Sequence, residues 1–208
     1  MSKMKEILED ILTMPYYKNY AAASGAVHNI AKHEDAVEDK FVKHGLSFFK
    51  KGGIKQNQRD AWLDGEDHSG IPDNSYISQP CGTHNSPDFI LKVDGELHFI
   101  ECKSAEGENP MYNSGVPKEK YIYVFCSKKH NKTTLYFGGQ VCPPEIYELI
   151  QTCIKEHRDL DKKHNKILKE NKSLLTHYCR PMIQHVSSAR YFSESIKNER
   201  EQGVLNAV

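Results

Sequence analysis

Apolar residues recur at helical spacing at the start of the chain. Met4, Ile7, Leu8 and Ile11 mark one face of a short helix over residues 2–14. A turn with Pro15 and the tyrosines Tyr16, Tyr17 and Tyr20 follows; these rings read as packing groups. Val27, Ile30, Val37 and Phe41 predict a second helix over 25–44, with Ser24 as its cap and Gly45 just past its end. Glu34 falls in line with that apolar stripe, so it is expected to face whatever the helix packs on. Glu38, one turn later, is the second choice for that position.

Residues 46–49 read as a short strand. The stretch from 50 to 86 is polar and rich in glycine and proline, with room for a short helix over 56–63. Pro72-Asp73 within it reads as a turn. The sharpest pattern comes next. Two strand-like runs, 88–93 and 96–103, flank Asp94-Gly95, a dipeptide strongly preferred in two-residue hairpin turns. Further strands are expected over 121–126 and 133–137. Helix is expected over 143–175, with Pro143 and Pro144 in its first turn, and again near 193–202. The order of elements predicts an α/β fold: a mixed central sheet of four to five strands flanked by helices, with a helical C-terminal extension.

Composition narrows the class. The chain has 208 residues, 38% hydrophobic and 27% charged, which suits one globular domain. No apolar run is long enough to span a bilayer, and the charged N-terminus lacks a signal-peptide core, so a cytoplasmic location is expected. Basic and acidic residues balance at 28 each; any nucleic-acid surface must therefore be local. Residues 155–172 carry seven basic residues with interleaved acids, as on a solvated helix face, with phosphate contact as the alternative. The six cysteines form no CxxC pair and read as free thiols, with Cys102 and Cys126 as small core residues.

The hairpin brings chemistry together. With a two-residue turn, Val93 pairs with Glu96, and stepping outward along the ladder sets Asp88 opposite Glu101. Directly opposed Cβ atoms lie roughly 4.5–5.5 Å apart. Two carboxylates that close repel unless a cation sits between them. Lys103 shares a face with Glu101, two residues on. Phe89, Ile90, Leu91, Phe99 and Ile100 surround the trio, and charges in such a frame are expensive unless they serve a purpose. Hard oxygen donors favour Mg2+, which could polarise a phosphoryl oxygen and activate a water, with the Cys102 carbonyl completing its coordination and Lys103 beside the developing charge.

Pro87-Asp88 followed by Glu101-Cys102-Lys103 resembles the PD-(D/E)XK nuclease superfamily. Gln79-Pro80-Cys81-Gly82-Thr83-His84 running into Ser86-Pro87-Asp88, and Asn113-Ser114-Gly115-Val116-Pro117 before an apolar strand, look like type II restriction endonucleases in particular. The resemblance covers about residues 28–140. It implies a single nuclease domain over 1–208, with residues from about 143 onward available for DNA contact or dimerisation. It implies Asp88 and Glu101 as metal ligands, Lys103 as the catalytic lysine and Glu34 as a further acid from the preceding helix. Gln79, His84, Asn85, Ser86 and Asn113 are candidates for holding DNA or orienting the site. The implied activity is Mg2+-dependent cleavage of double-stranded DNA, by a homodimer if the target is palindromic. Competing readings are a structure-specific or repair nuclease of the same fold, and a non-catalytic DNA-binding module stabilised by zinc on Cys81, His84, His177 and Cys179. His84-Asn85 is also compatible with a His-dependent nuclease.

Overall fold

The structure is a computed structural model that describes residues 2–19, 32–113, 115–185 and 190–208. Its elements are α1 (Lys3–Leu12), α2 (His33–Lys43), β1 (Ser47–Lys51), α3 (Gln56–Leu63), β2 (Ser75–Ser78), β3 (Phe89–Val93), β4 (Glu96–Ala105), β5 (Met111–Tyr112), β6 (Ile122–Ser127), β7 (Lys132–Phe137), α4 (Gly138–Val141), α5 (Pro144–Glu170), β8 (Ile183–Gln184) and α6 (Glu194–Leu205). Six strands form one mixed sheet in the order β1-β2-β3-β4-β6-β7, and β5 with β8 make a separate two-stranded ribbon. The mixed α/β class is as expected, with one strand more in the sheet than the sequence pattern marked. That strand is β2, which joins β1 in parallel and β3 antiparallel. Ser24, Val27 and Ile30 of the expected second helix, with Tyr20 and Ser114, lie outside the described residues.

Alternation along the strands sorts side chains to two faces. Phe89, Leu91, Ile100, Cys102, Ile122, Val124 and Leu135 face a core closed by α1, α2 and α6. In α1 the apolar positions Met4, Ile7, Leu8 and Ile11 are all buried, and α2 contributes Ala36, Val37 and Phe41. The opposite face carries Ile77, Ile90, Phe99, Tyr121, Tyr123, Phe125 and Tyr136, packed against Tyr112 and Tyr191. The hydroxyl of Tyr112 hydrogen-bonds those of Tyr136 at 2.8 Å and Tyr191 at 3.0 Å, so the polar ends of these buried rings are satisfied and the ribbon is tied to the sheet. Strand β6 is buried at every position, as expected between two neighbours and under two layers.

The hairpin register is the one the turn dictates. Val93 pairs with Glu96 and Phe89 with Ile100. Asp94 and Gly95 both have positive φ, at 52° and 85°, as a primed turn requires. Asp73 Oδ1 accepts a hydrogen bond from the Gly95 amide at 3.0 Å, so the Pro72-Asp73 turn braces the hairpin tip. All six cysteines are free thiols, with Cys102 and Cys126 buried. Among the described residues no helix is long and apolar enough to cross a membrane.

Candidate active site

Pairing of β3 with β4 ends at Phe89–Ile100, yet β4 runs on to Ala105 beside β6. Past that point β4 has an open edge, and the site forms along it. The chain before β3 bends, so Asp88 is not part of the ladder opposite Glu101 as simple extrapolation places it. Its carboxylate turns to the open edge instead. Asp88 Oδ2 accepts the Cys102 amide at 2.8 Å, and Oδ1 accepts Gln79 Nε2 at 2.9 Å. The Gln79 amide donates in turn to the Asp88 carbonyl at 2.7 Å. Gln79 holds this double contact with φ at 46°, a left-handed conformation uncommon outside glycine.

Glu101 and Lys103 point to the same face of β4, as alternation requires. Lys103 Nζ donates to Glu101 Oε1 at 2.6 Å, and both side chains are largely buried. The other oxygen, Oε2, is buried and has no hydrogen-bond partner among the described residues. Burial, then the Asp88 charge, pushes the Glu101 carboxyl up to about 7, despite the adjacent ammonium. Burial also raises Asp88, against the pull of the Cys102 amide, Lys103 and Gln79. For Lys103 burial is the largest influence and acts downward, but the Glu101 charge and hydrogen bond together with the Asp88 charge outweigh it, and the ammonium is held above its usual range. Glu34 stands in the first turn of α2, and burial followed by the Asp88 charge raises its carboxyl.

Glu34, Asp88, Glu101 and Lys103 line one cleft of about 360 Å³, closed on its other sides by Thr83, His84, Asn85, Ser104, Met111, Asn113 and Arg180. Of the candidates from sequence, His84, Asn85 and Asn113 therefore reach the rim, where each is exposed. Ser86 does something else: its carbonyl accepts Arg59 Nη1 at 2.8 Å, and the buried Arg59 thereby ties α3 to the turn before Asp88. The Cys102 side chain is buried in the helix-covered core. Its amide faces Asp88, and in a strand the amide and carbonyl of one residue point to the same edge, so the Cys102 carbonyl is also directed to the open side.

Arg59 and Arg180 were not expected. Arg180 Nε donates to the Asn113 carbonyl at 2.7 Å, a contact across 67 positions that no local pattern marks. The competing zinc reading on Cys81, His84, His177 and Cys179 finds no assembled ligand set among the described residues. His177 Nδ1 pairs with Asp161 at 2.7 Å, and the Cys179 amide donates to the same carboxylate.

A hard dication suits the remaining donors. An orphaned, buried carboxylate oxygen beside a second carboxylate and an open-edge carbonyl is an all-oxygen set. Among the described residues no group of three or more His, Cys, Asp or Glu side chains is arranged to hold a metal ion. Mg2+ commonly takes only one or two carboxylates and fills the rest of its octahedron with waters and substrate oxygens, so Asp88 and Glu101 are the residues that could hold it. Comparison of the chain with protein-family models, curated proteins and solved structures finds no match.

Proposed function

We propose that the protein is a Mg2+-dependent endonuclease that hydrolyses phosphodiester bonds of double-stranded DNA in the cytoplasm, in the manner of the type II restriction endonucleases that its PD…ExK pattern resembles. The observation that carries the reading is the Glu101 carboxylate: buried, bonded to Lys103 through one oxygen, unpartnered at the other, and placed beside Asp88 at the floor of a polar cleft.

Asp88, Glu101 and the Cys102 carbonyl would hold Mg2+. When bound, the ion supplies charge that polarises a phosphoryl oxygen and lowers the pKa of a water. The chain's own contribution is placement. Gln79 and the Cys102 amide fix both oxygens of Asp88. Lys103, anchored on Glu101, presents a permanent ammonium to negative charge growing on the phosphorane. Glu34, from across the cleft, adds an acid that can accept a proton from or orient the attacking water.

A second copy of the chain completes the reading, since both strands of a palindrome need a centre each. One face of α5 supports it. Ile146, Cys153, Leu160 and Ile167 recur at every seventh position, and the three aliphatic ones are 45%, 49% and 48% exposed. In a dimer this row would lie against its counterpart on the second copy, with the polar Glu156, His157, Lys163 and His164 flanking it.

Digestion of plasmid DNA with and without Mg2+ tests the function. Discrete fragments that vanish when the metal is chelated support it. Cutting confined to junctions, nicks or mismatches points to a structure-specific enzyme, and no cutting with any divalent ion overturns the proposal. Light scattering in solution reads the dimer, with Leu160→Glu expected to yield monomer.

A further inference from the structure

A second groove, of about 440 Å³, opens beside the carboxylate cleft and is lined by His84, Asn85, Asn113, Arg158, Tyr178 and Arg180, among others. Four of these residues, His84, Asn85, Asn113 and Arg180, also line the cleft, so the two form one trough. Its charge changes sign along its length. The cleft holds Glu34, Asp88 and Glu101. The groove has two arginines on its walls and no acidic residue.

Among the described residues, Arg158 and Arg180 have no carboxylate within ion-pair distance; Asp159, next to Arg158 in the chain, pairs with Lys162 at 2.8 Å instead. Arg180 uses Nε on the Asn113 carbonyl, which fixes one edge of its guanidinium and leaves the two Nη groups without a hydrogen bond among the described residues. The segment that carries it is built in place. Asn165 of α5 exchanges two hydrogen bonds with the His177 backbone, at 2.6 and 2.7 Å, and Asp161 takes the His177 ring and the Cys179 amide. Arg158 lies one helical turn after Ile154, the α5 residue buried against the body, so it stands on the row facing the groove rather than on the exposed Leu160 face.

We infer that this groove seats the phosphodiester next to the scissile one, with Arg180 and Arg158 gripping its anionic oxygens. A planar guanidinium matches two phosphate oxygens at once, and an uncompensated pair beside an acidic metal-type cleft selects a ligand whose negative charges repeat along a chain. The inference rests on the nuclease reading. It adds the strand path: from the carboxylates, past His84 and Asn113, to the side of α5. These contacts carry no base information, so they position the duplex without choosing its sequence.

Binding of a labelled short duplex to Arg158→Ala, Arg180→Ala and Arg180→Lys, followed by anisotropy across a salt series in Ca2+, tests it. Each alanine variant is expected to bind roughly tenfold more weakly at moderate salt, equally on all sequences. Each should also flatten the slope of log K against log salt by about 0.9, one counterion contact. Arg180→Lys should keep most of the slope. Mg2+ affinity without DNA, by calorimetry, and the melting temperature should stay at wild-type values, since both arginines are exposed. Unchanged slopes in both alanine variants, with a wild type that binds and cuts duplex, would overturn the groove and leave the nuclease standing. A wild type that neither binds nor cuts duplex would instead remove both.

Discussion

Two buried lysine–carboxylate pairs stand in this molecule under similar conditions and do opposite things. Lys40 meets Asp10 at 2.8 Å with side chains 7% and 16% exposed; Lys103 meets Glu101 at 2.6 Å with side chains 12% and 6% exposed. Around Asp10 the charge surplus is positive. Lys43 and His44 bond its second oxygen, at 2.8 and 3.1 Å. Burial alone would raise the Asp10 carboxyl, but these three donors together hold it well below the usual carboxylate range. Around Glu101 the surplus is negative, because Asp88 and Glu34 add charge and one oxygen has no donor. A carboxylate with more donors than it needs is a tie between helices α1 and α2. A carboxylate with fewer is one whose charge a cation would stabilise. Glu201 of α6 is satisfied at both oxygens, by Thr134 and Lys197, at 2.8 Å each.

The largest effects come from cutting each pair at its acid, and they should fall on different properties. Glu101→Gln keeps the shape and removes the charge. It should lower Mg2+-dependent cleavage at least 10³-fold, about 4 kcal/mol of transition-state stabilisation, while the melting temperature changes little: Lys103 loses its ion pair, but Asp88 still acts on it and the crowding of negative charge is relieved. Cleavage assays beside thermal melts read both, and a variant that still cuts with Mg2+ would sink the assignment. Asp10→Ala should do the reverse: two lysine ammoniums and the His44 ring then converge with no carboxylate between them. Removing one partner of a largely buried pair costs about 3 kcal/mol, or roughly 6–12 °C in a chain this long. Activity per folded molecule should stay at wild type.

Acid sharpens the same contrast. A carboxyl whose folded pKa is depressed adds stability that is complete above its unfolded value, near 3.8, and is lost as pH falls toward the folded one. Wild-type protein should therefore lose stability steeply below about pH 4. Asp10→Asn, already without that charge, should show a shallower acid limb in urea titrations. Equal limbs would mean that Asp10 gains nothing from its donors.

Lys103→Ala comes next in size. It removes the ammonium that neutralises one oxygen of Glu101 and faces the cleft. The rate should drop about 100-fold, near the lower end for loss of one positioned donor. Mg2+ affinity should hold or tighten, because the ion no longer competes with Lys103 for Glu101 Oε1. Calorimetry and single-turnover rates separate the two. Weaker metal binding with an intact rate would assign Lys103 to structure, alongside Lys40.

How much of this the sequence discloses depends on how local each feature is. The Asp94-Gly95 turn sets the register of β3 and β4 by itself, so the face shared by Glu101 and Lys103 is readable from a dozen residues. Strand β2 is not readable: Ser-Tyr-Ile-Ser has two apolar side chains in a polar, glycine-rich stretch, and it becomes a strand because β1 and β3 offer ladders on both sides. Glu34 was legible through its place in an apolar stripe, which predicts the side of a helix. The position of Asp88 was only half legible, since the bend before β3 moves it out of the ladder and onto the Cys102 amide. Arg158 is marked only as one of a basic run, and Arg59 and Arg180 carry no local mark at all. They matter through carbonyls and grooves assembled by distant chain, and a lone arginine in a polar segment looks like any solvated one.

The smallest effect tests how Asp88 is held. Gln79 touches Asp88 twice: its amide N–H on the carbonyl, its side chain on Oδ1. Gln79→Ala keeps the first contact and deletes the second, so the fold of the turn should survive. One neutral donor on a charged acceptor contributes about 1.5 kcal/mol, so kcat should fall roughly tenfold. Gln79→Gly is the informative companion. It loses the same side-chain bond but relaxes the left-handed backbone at φ 46°, so it should be more stable than the alanine variant and no more active. If both variants lower kcat and leave KM for DNA alone, Gln79 works by aiming Asp88. If KM rises and kcat stays, the amide reads DNA instead, and the rigid Asp88 has no need of it: the Cys102 amide alone then sets the carboxylate that the buried Glu101 faces.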